Sequence, residues 1–269
     1  MTAGGAVTRW LALSLVLTAA ACAPKRPVLP TGPGTALPDF AAAFASASGE
    51  CRAVHALTAA LGLSGRAGGT KLRGRIDAGF AAPADLRLEG VAPFGKPVFV
   101  LVSRDDRATL VLPRDARVLR DAAPAAIIEA LAGVPLGPAD LRGIVAGCGL
   151  TAGRPDAGRA YPDGWAAVDA GATTTYLRQV DGRWRIAGAT RGSLTIDYAD
   201  FSGGRAETVH VRTAPVPGGA AADLTLRISQ LQINVPLAPD VFEYAVPSDW
   251  APLTLEELRR AGPLGGGAP

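Results

Sequence analysis

The sequence predicts an α+β domain that is mainly antiparallel β, and three observations carry that reading. Apolar and charged residues alternate at period two in several stretches, the pattern of a sheet wetted on one face. The alternation is interrupted once, near the middle, by two short apolar runs that each open on a proline, Pro124 and Pro138. Proline suits the first turn of a helix, where its missing N–H is not needed. After these runs, Asp181-Gly182 and Gly203-Gly204 separate alternating segments, as two-residue hairpin turns do.

Residues 1–21 have the three-part form of a secretory leader: one positive charge at Arg9, an apolar core over Leu11 to Leu17, and small residues over Thr18 to Ala21. The core is too short to span a bilayer. Cys22 follows at once, and residues 22–38 hold five prolines and no long apolar run, a composition that reads as an extended tether. Two readings fit: a leader removed before a lipidated Cys22, or an ordinary leader cut after an Ala-x-Ala with Cys22 incidental.

The domain is placed over 39–253. It opens on a helix with Asp39 as N-cap, in which Phe40, Phe44, Cys51, Val54, Leu57 and Leu61 recur at near-helical spacing until the glycines of 62–69 end it. Strands are expected over Leu72 to Ala78 and Leu86 to Glu89, where leucine, isoleucine and alanine alternate with arginine and acids. Val98 to Val102 is continuously apolar, which implies a strand covered on both faces. Asp105-Asp106 then turns the chain into a strand at Thr109 to Leu112. The two proline-started helices present Ile127, Ile128 and Leu131 from the first, and Leu141, Ile144 and Val145 from the second. Further strands are expected at Thr173 to Val180, Arg183 to Ala187, Leu194 to Phe201, Thr208 to Thr213, Leu224 to Val235 and Phe242 to Val246. Thr254 and Glu257 form a capping box for a short surface helix, followed by a flexible tail to residue 269.

Composition narrows the function. The net charge is +3, Arg9 included, with three lysines and no arginine cluster interleaved with aromatics, so nucleic acid is not an expected partner. His55 and His210 stand in separate elements without metal-ligand spacing, His210 reading as a partly exposed sheet residue. No Gly-x-Ser-x-Gly and no phosphate loop is present. A converging set of acids such as Asp77, Asp197 and Asp200 is the one catalytic arrangement left open. No enzymatic activity and no cofactor are expected. Once Cys22 is set aside, Cys51 and Cys148 are left as a disulfide or as two separate buried thiols. Trp165, Trp184, Tyr176 and Phe242 either line a ligand cavity or belong to an ordinary core.

Four stretches resemble known proteins of the bacterial envelope. Ala19-Ala20-Ala21-Cys22 is similar to the lipobox of lipoproteins, although the family norm three residues before the cysteine is leucine and here it is Ala19. Pro93-Phe94-Gly95 between two strands, the run from Leu131 to Gly147, and the hairpin from Thr173 to Gly188 together resemble the LolA/LolB superfamily, nearest to LolB-like outer-membrane lipoproteins, over roughly residues 38–246. The resemblance implies an unclosed antiparallel half-barrel with the short helices as a lid in its mouth. Cys22 would carry the lipid, and Cys51 and Cys148 would come close enough to bond. Ile127, Ile128, Leu131, Leu141, Ile144, Val145 and Trp184 would line the ligand cavity.

Phe94, where the family has leucine, would stand at the tip of a membrane-entering loop with Lys96 at the headgroups; the alternative is a Phe94 folded back onto the barrel edge. The implied function is to hold acyl chains or lipoproteins for delivery to a membrane. The protein would be anchored in the outer membrane facing the periplasm, with a periplasmic LolA-like carrier as a partner. The competing reading is a structural lipoprotein scaffold of an envelope assembly that binds no ligand.

Overall fold

The computed structural model describes residues 27–91, 97–215 and 221–262. A short strand β1 (Thr35–Ala36) precedes helix α1 (Phe40–Arg52). A first meander follows: β2 (Ala56–Ala67), β3 (Thr70–Ala81), β4 (Asp85–Val91), β5 (Val100–Arg104), β6 (Arg107–Leu112) and β7 (Arg117–Ala122). Helices α2 (Pro124–Ala132) and α3 (Pro138–Ala146) separate it from a second meander. That meander comprises β8 (Ala157–Tyr161), β9 (Trp165–Ala170), β10 (Thr173–Val180), β11 (Arg183–Arg191), β12 (Leu194–Ser202), β13 (Arg205–Thr213) and β14 (Ala222–Ile233). The chain closes with a 3-10 turn at Pro239–Phe242, strand β15 (Ala251–Pro252) and helix α4 (Leu255–Ala261).

All strands join one sheet in the order β1-β8-β9-β10-β11-β12-β13-β14-β2-β3-β4-β5-β6-β7-β15. The two meanders meet where β14 pairs antiparallel with β2. The order ends on β1 and β15, so the sheet does not close. Its curvature is seen in the core: Ala166 and Val168 of β9 and Leu110 of β6, from opposite wings, belong to the same buried cluster. The sheet is thus an unclosed half-barrel wrapped around one apolar interior, and α1, α2 and α3 contribute to that interior.

The outer face is covered locally. In β5, Leu101 joins the interior while Val100 and Val102 turn the other way, onto Val111 and Val118, and are roofed by Tyr244, Val246 and Trp250. This is the two-sided burial that the unbroken apolar run Val98 to Val102 implies. The roof is the segment after β14, which crosses outside the sheet before β15 pairs parallel with β7.

Several expectations are corrected. Helix α1 ends at Arg52, and Leu57 and Leu61 belong to β2. A spacing of four is a helical repeat and also an even number, so it fits both periods; Ala59 buried between the two leucines marks the strand. Phe242 to Val246 is not a strand. Pro239 starts a 3-10 turn there, and Arg87 donates to the carbonyls of Val241 and Glu243 at 3.1 and 3.3 Å, occupying acceptors a ladder would need. Strands β7, β8 and β9 were not anticipated; β8 and β9 are alanine-rich, and alanine is a poor strand former.

The stretch 27–38, expected as part of a tether, docks on the body. β1 pairs with β8, and the Tyr161 hydroxyl donates to the Gly32 carbonyl at 3.1 Å. Gly158 permits this docking, because a Cβ there would lie 2.1 Å from Cβ of Phe40 at the start of α1.

Helix α4 packs on α2 and sends Leu258 into the interior cluster, so it is more than a surface helix. Its capping box is formed: Thr254 Oγ1 accepts from the Glu257 N–H, and the Glu257 carboxylate accepts from the Thr254 N–H at 2.8 Å and from Arg117 at 3.0 Å. These bonds, the Thr254 N–H foremost, hold the Glu257 carboxyl down at about 2 against an ordinary 4.5. A depressed folded value means the contribution is present above pH 4.5 and fades as pH falls toward 2. Amide exchange across 255–261 is therefore expected to quicken in that window before the sheet responds, and Glu257→Gln should show the same fraying at neutral pH.

Candidate functional site

The candidate site is the apolar interior and the helices that cover it. α2 and α3 are short amphipathic pieces that would not persist alone in water and depend on the surface they cover. Each starts on its proline and ends on a left-handed glycine, Gly133 and Gly147. Between them Val134 and Leu136 are buried, so the connection itself plugs the interior. Ile127, Ile128, Leu131, Ile144 and Val145 all lie in the interior cluster, with Leu141 partly buried against it. Ile127 and Ile144 meet a floor that includes Leu57, Leu101, Leu110, Leu177 and Ile196, none of them reached by solvent. Buried side chains thus crowd the interior beneath the helices, and a long apolar guest lying there would have to displace one of the helices.

The helices differ in how they are held. α3 is fastened at three points. Asp140 in its first turn takes a two-pronged contact from Arg191 of β11, at 2.6 and 3.1 Å, and accepts the Thr151 N–H at 2.9 Å. Burial opposes the Asp140 charge, but those bonds outweigh it and hold the carboxyl below its ordinary value. The buried Tyr198 hydroxyl donates to the Ile144 carbonyl at 2.9 Å and accepts the Gly149 N–H at 2.8 Å; burial raises its pKa. Just past the helix, Cys148 is joined to Cys51 of α1, with Cα atoms 5.5 Å apart.

α2 has none of this. Its sequence from Pro124 to Ala132 carries one polar side chain, Glu129, which is exposed, and it is held by apolar contact with β6, α4 and the interior.

The remaining candidates are scattered. Trp184 packs against the interior but away from α2, on the wall of a cleft of about 470 Å³ near the end of α3 that also holds Glu50, Arg205 and the half-exposed Phe201. Trp165 is buried beneath the Arg178 guanidinium, 5.1 Å from the ring centre. Trp165, Tyr176 and Phe242 lie outside the interior cluster, so among the four aromatic candidates only Trp184 joins it. His210 is buried, not partly exposed; its Nδ1 lies 3.1 Å from Oγ1 of Thr225, its partner across the β13–β14 pair.

The acids do not converge. Asp77 pairs with Arg75 on β3, Asp197 with Arg212, and Asp200 accepts from Thr208. Among the described residues no group of three or more His, Cys, Asp or Glu is placed to hold a metal, and no helix is long and apolar enough to cross a membrane. Cys22, Phe94 and Lys96 lie outside the described residues.

The sequence reading missed Asp140, Tyr198 and Arg191. Only Tyr198 had a signal, standing in step with Leu194 and Ile196 on an alternating strand.

No protein-family model matches the sequence, and no curated protein is similar to it at a significant level. Solved structures do share its architecture. A LolA superfamily protein from Nitrosomonas europaea superposes with a TM-score of 0.51 at 10% identity, covering 75% of this chain and 94% of that one. A putative outer membrane lipoprotein-sorting protein domain from Vibrio parahaemolyticus gives 0.46 at 11% identity, covering 72% and 94%. The chain therefore shares the fold of the first of these, a LolA superfamily protein; at 10% identity the likeness is one of fold.

Proposed function

We propose that this chain is a lipid-anchored binding protein of the bacterial envelope. It would hold acyl chains, free or on lipoproteins, in its half-barrel and release them to a membrane, in the manner the LolB resemblance implies. The observation that carries this reading is the unequal fastening of the lid. α3 is bolted to the sheet by an ion pair and a buried tyrosine, and to α1 by a disulfide just past its end, whereas α2 lies over the same interior on apolar contact alone. Apolar contact is not directional and is worth about 25 cal/mol per Å² to either partner. An acyl chain can therefore replace α2 on the floor with little net change, which a hydrogen-bonded plug would not allow.

Attachment through Cys22 and entry of the Phe94–Lys96 loop into the headgroup layer complete the proposal, with the outer membrane as the site and a LolA-like carrier as the donor. Leu29 of the docked N-terminal segment lies over Gly188, seven residues after Cys22, so a lipid on Cys22 would hold that point of the body within roughly 25 Å of the bilayer surface. Val28, ahead of β1, and Phe201, near the end of β12, are exposed apolar residues.

The crowded interior favours a second reading, a scaffold with no ligand. Hydrogen exchange on the full chain, with and without an acylated lipopeptide, separates the two. A carrier should lose protection several-fold over 124–132 and keep it over 138–146. A scaffold should show no change in either.

A further inference from the structure

The cleft between α1 and α3 contains a charge that the fold does not neutralise. The cleft measures about 200 Å³ and is walled by Phe44, Val54, Leu150 and the Cys51–Cys148 bridge. Arg142 of α3 lines it, and its Nη1 is buried with no hydrogen-bond partner in the protein. Arg159 and Arg212 also have a buried nitrogen without a partner, but each is ion-paired, to Asp169 and Asp197. Arg142 has no ion pair among the described residues. Burial presses its pKa below the ordinary guanidinium value, yet a guanidinium stays charged in proteins. A buried donor left unmade is costly, and more so when it is charged. Arg52, in the last turn of α1, lines the same cleft and lies over the Phe44 ring at 5.9 Å. Two guanidiniums on apolar walls suit a ligand with one oxyanion and an apolar stem.

We propose that this cleft binds the anionic head of an amphiphile, a carboxylate or a phosphate monoester, on Arg142 with Arg52 at its rim, the first methylenes lying against Phe44, Val54 and Leu150. The volume admits a head and a few carbons and not a whole acyl chain, since a water alone takes about 30 Å³ of liquid volume. The rest of the tail would extend into the interior that α2 vacates, so the tail rests on the acyl-holding reading while the head does not. Oxyanion pairing to a guanidinium is charge-assisted and bidentate, so the head should dominate selectivity among ligands of equal tail.

The test titrates the full chain with octanoate, octyl phosphate, octanol and inorganic phosphate, each below its micelle concentration, and reads affinity from the thermal shift. Wild type should bind one or both octyl anions at least tenfold more tightly than octanol. Octanoate binding the tighter assigns a fatty-acid head, and octyl phosphate a phosphate-monoester head. Arg142→Met should bring the anions down to the octanol level without lowering the unliganded Tm, because it removes a half-buried guanidinium whose buried Nη1 had no partner. A structural Arg142 would instead lower that Tm, and this result would overturn the proposal. Equal affinity of wild type for octanoate and octanol would overturn the head site and leave the acyl reading standing. Inorganic phosphate binding as tightly as octyl phosphate would show a free-anion site and count against the tail.

Discussion

Replacing Ile128 with aspartate is expected to release α2 and leave the rest of the domain folded. Ile128 is 5% exposed against the interior cluster. Losing it removes burial worth roughly 1.5–3 kcal/mol, and a carboxylate in that place adds a desolvation penalty of several kcal/mol. α2 has nine residues and no polar fastening to the sheet, so its docking equilibrium should invert. The signature is loss of amide protection over 124–132, gain of binding by a dye specific for apolar surface, and loss of acyl retention, with the strands still protected. Leu141→Asp should do less: Leu141 is only partly buried, and α3 stays tied through Asp140, Tyr198 and Cys148. If Ile128→Asp leaves α2 protected, or unfolds the sheet along with it, α2 is part of the core and not a lid.

Removing the disulfide should have the other large effect, in a different place. Cys51 and Cys148 are 97 residues apart, and closing a loop of that length stabilises a fold by roughly 2–4 kcal/mol through the entropy of the unfolded chain. For a domain of this size that corresponds to a fall in Tm of about 4–16 °C. The double variant Cys51→Ala, Cys148→Ala should show it, with exchange rising first at the end of α1 and over 147–152 while α2 keeps its protection. An unchanged Tm would mean that the α1–α3 junction is held by packing and by the Tyr198 bonds without help from the bridge. With the Ile128 result, this maps the two kinds of fastening separately: a covalent and polar one under α3, an apolar one under α2.

Local chemistry explains how far the sequence could be read. Pro124 and Pro138 begin helices, and Gly133 and Gly147 end them in the left-handed conformation. Asp181-Gly182 turns β10 into β11 with both residues at positive φ, as a tight hairpin requires. The Thr254–Glu257 box caps α4. Each of these depends on contacts within four residues, so the residue types alone specify it. Period-two alternation likewise marked β3, β4, β12 and β14, since one face of each meets the interior.

The sequence by itself determined a mainly antiparallel α+β class of fold, its Asp-Gly and Gly-Gly hairpins and the two proline-started helices, because turn chemistry and hydrophobic period are properties of short segments; the half-barrel form was implied only by the family resemblance. It could not say where α1 stops, because the Leu57 to Leu61 spacing satisfies a helix and a strand equally; pairing with β3 and β14 on either side decides for the strand. Nor could it say that the segment after β14 roofs the outer face of β5. The site depends still more on tertiary structure. Arg191 reaches Asp140 across 51 residues, and Tyr198 reaches Ile144 across 54. The same packing buries one nitrogen of Arg142 without a partner. Burial and partnership are settled by which distant segments share a surface, and it is these that bolt one lid helix, leave the other on apolar contact, and set an unpaired charge between α1 and α3.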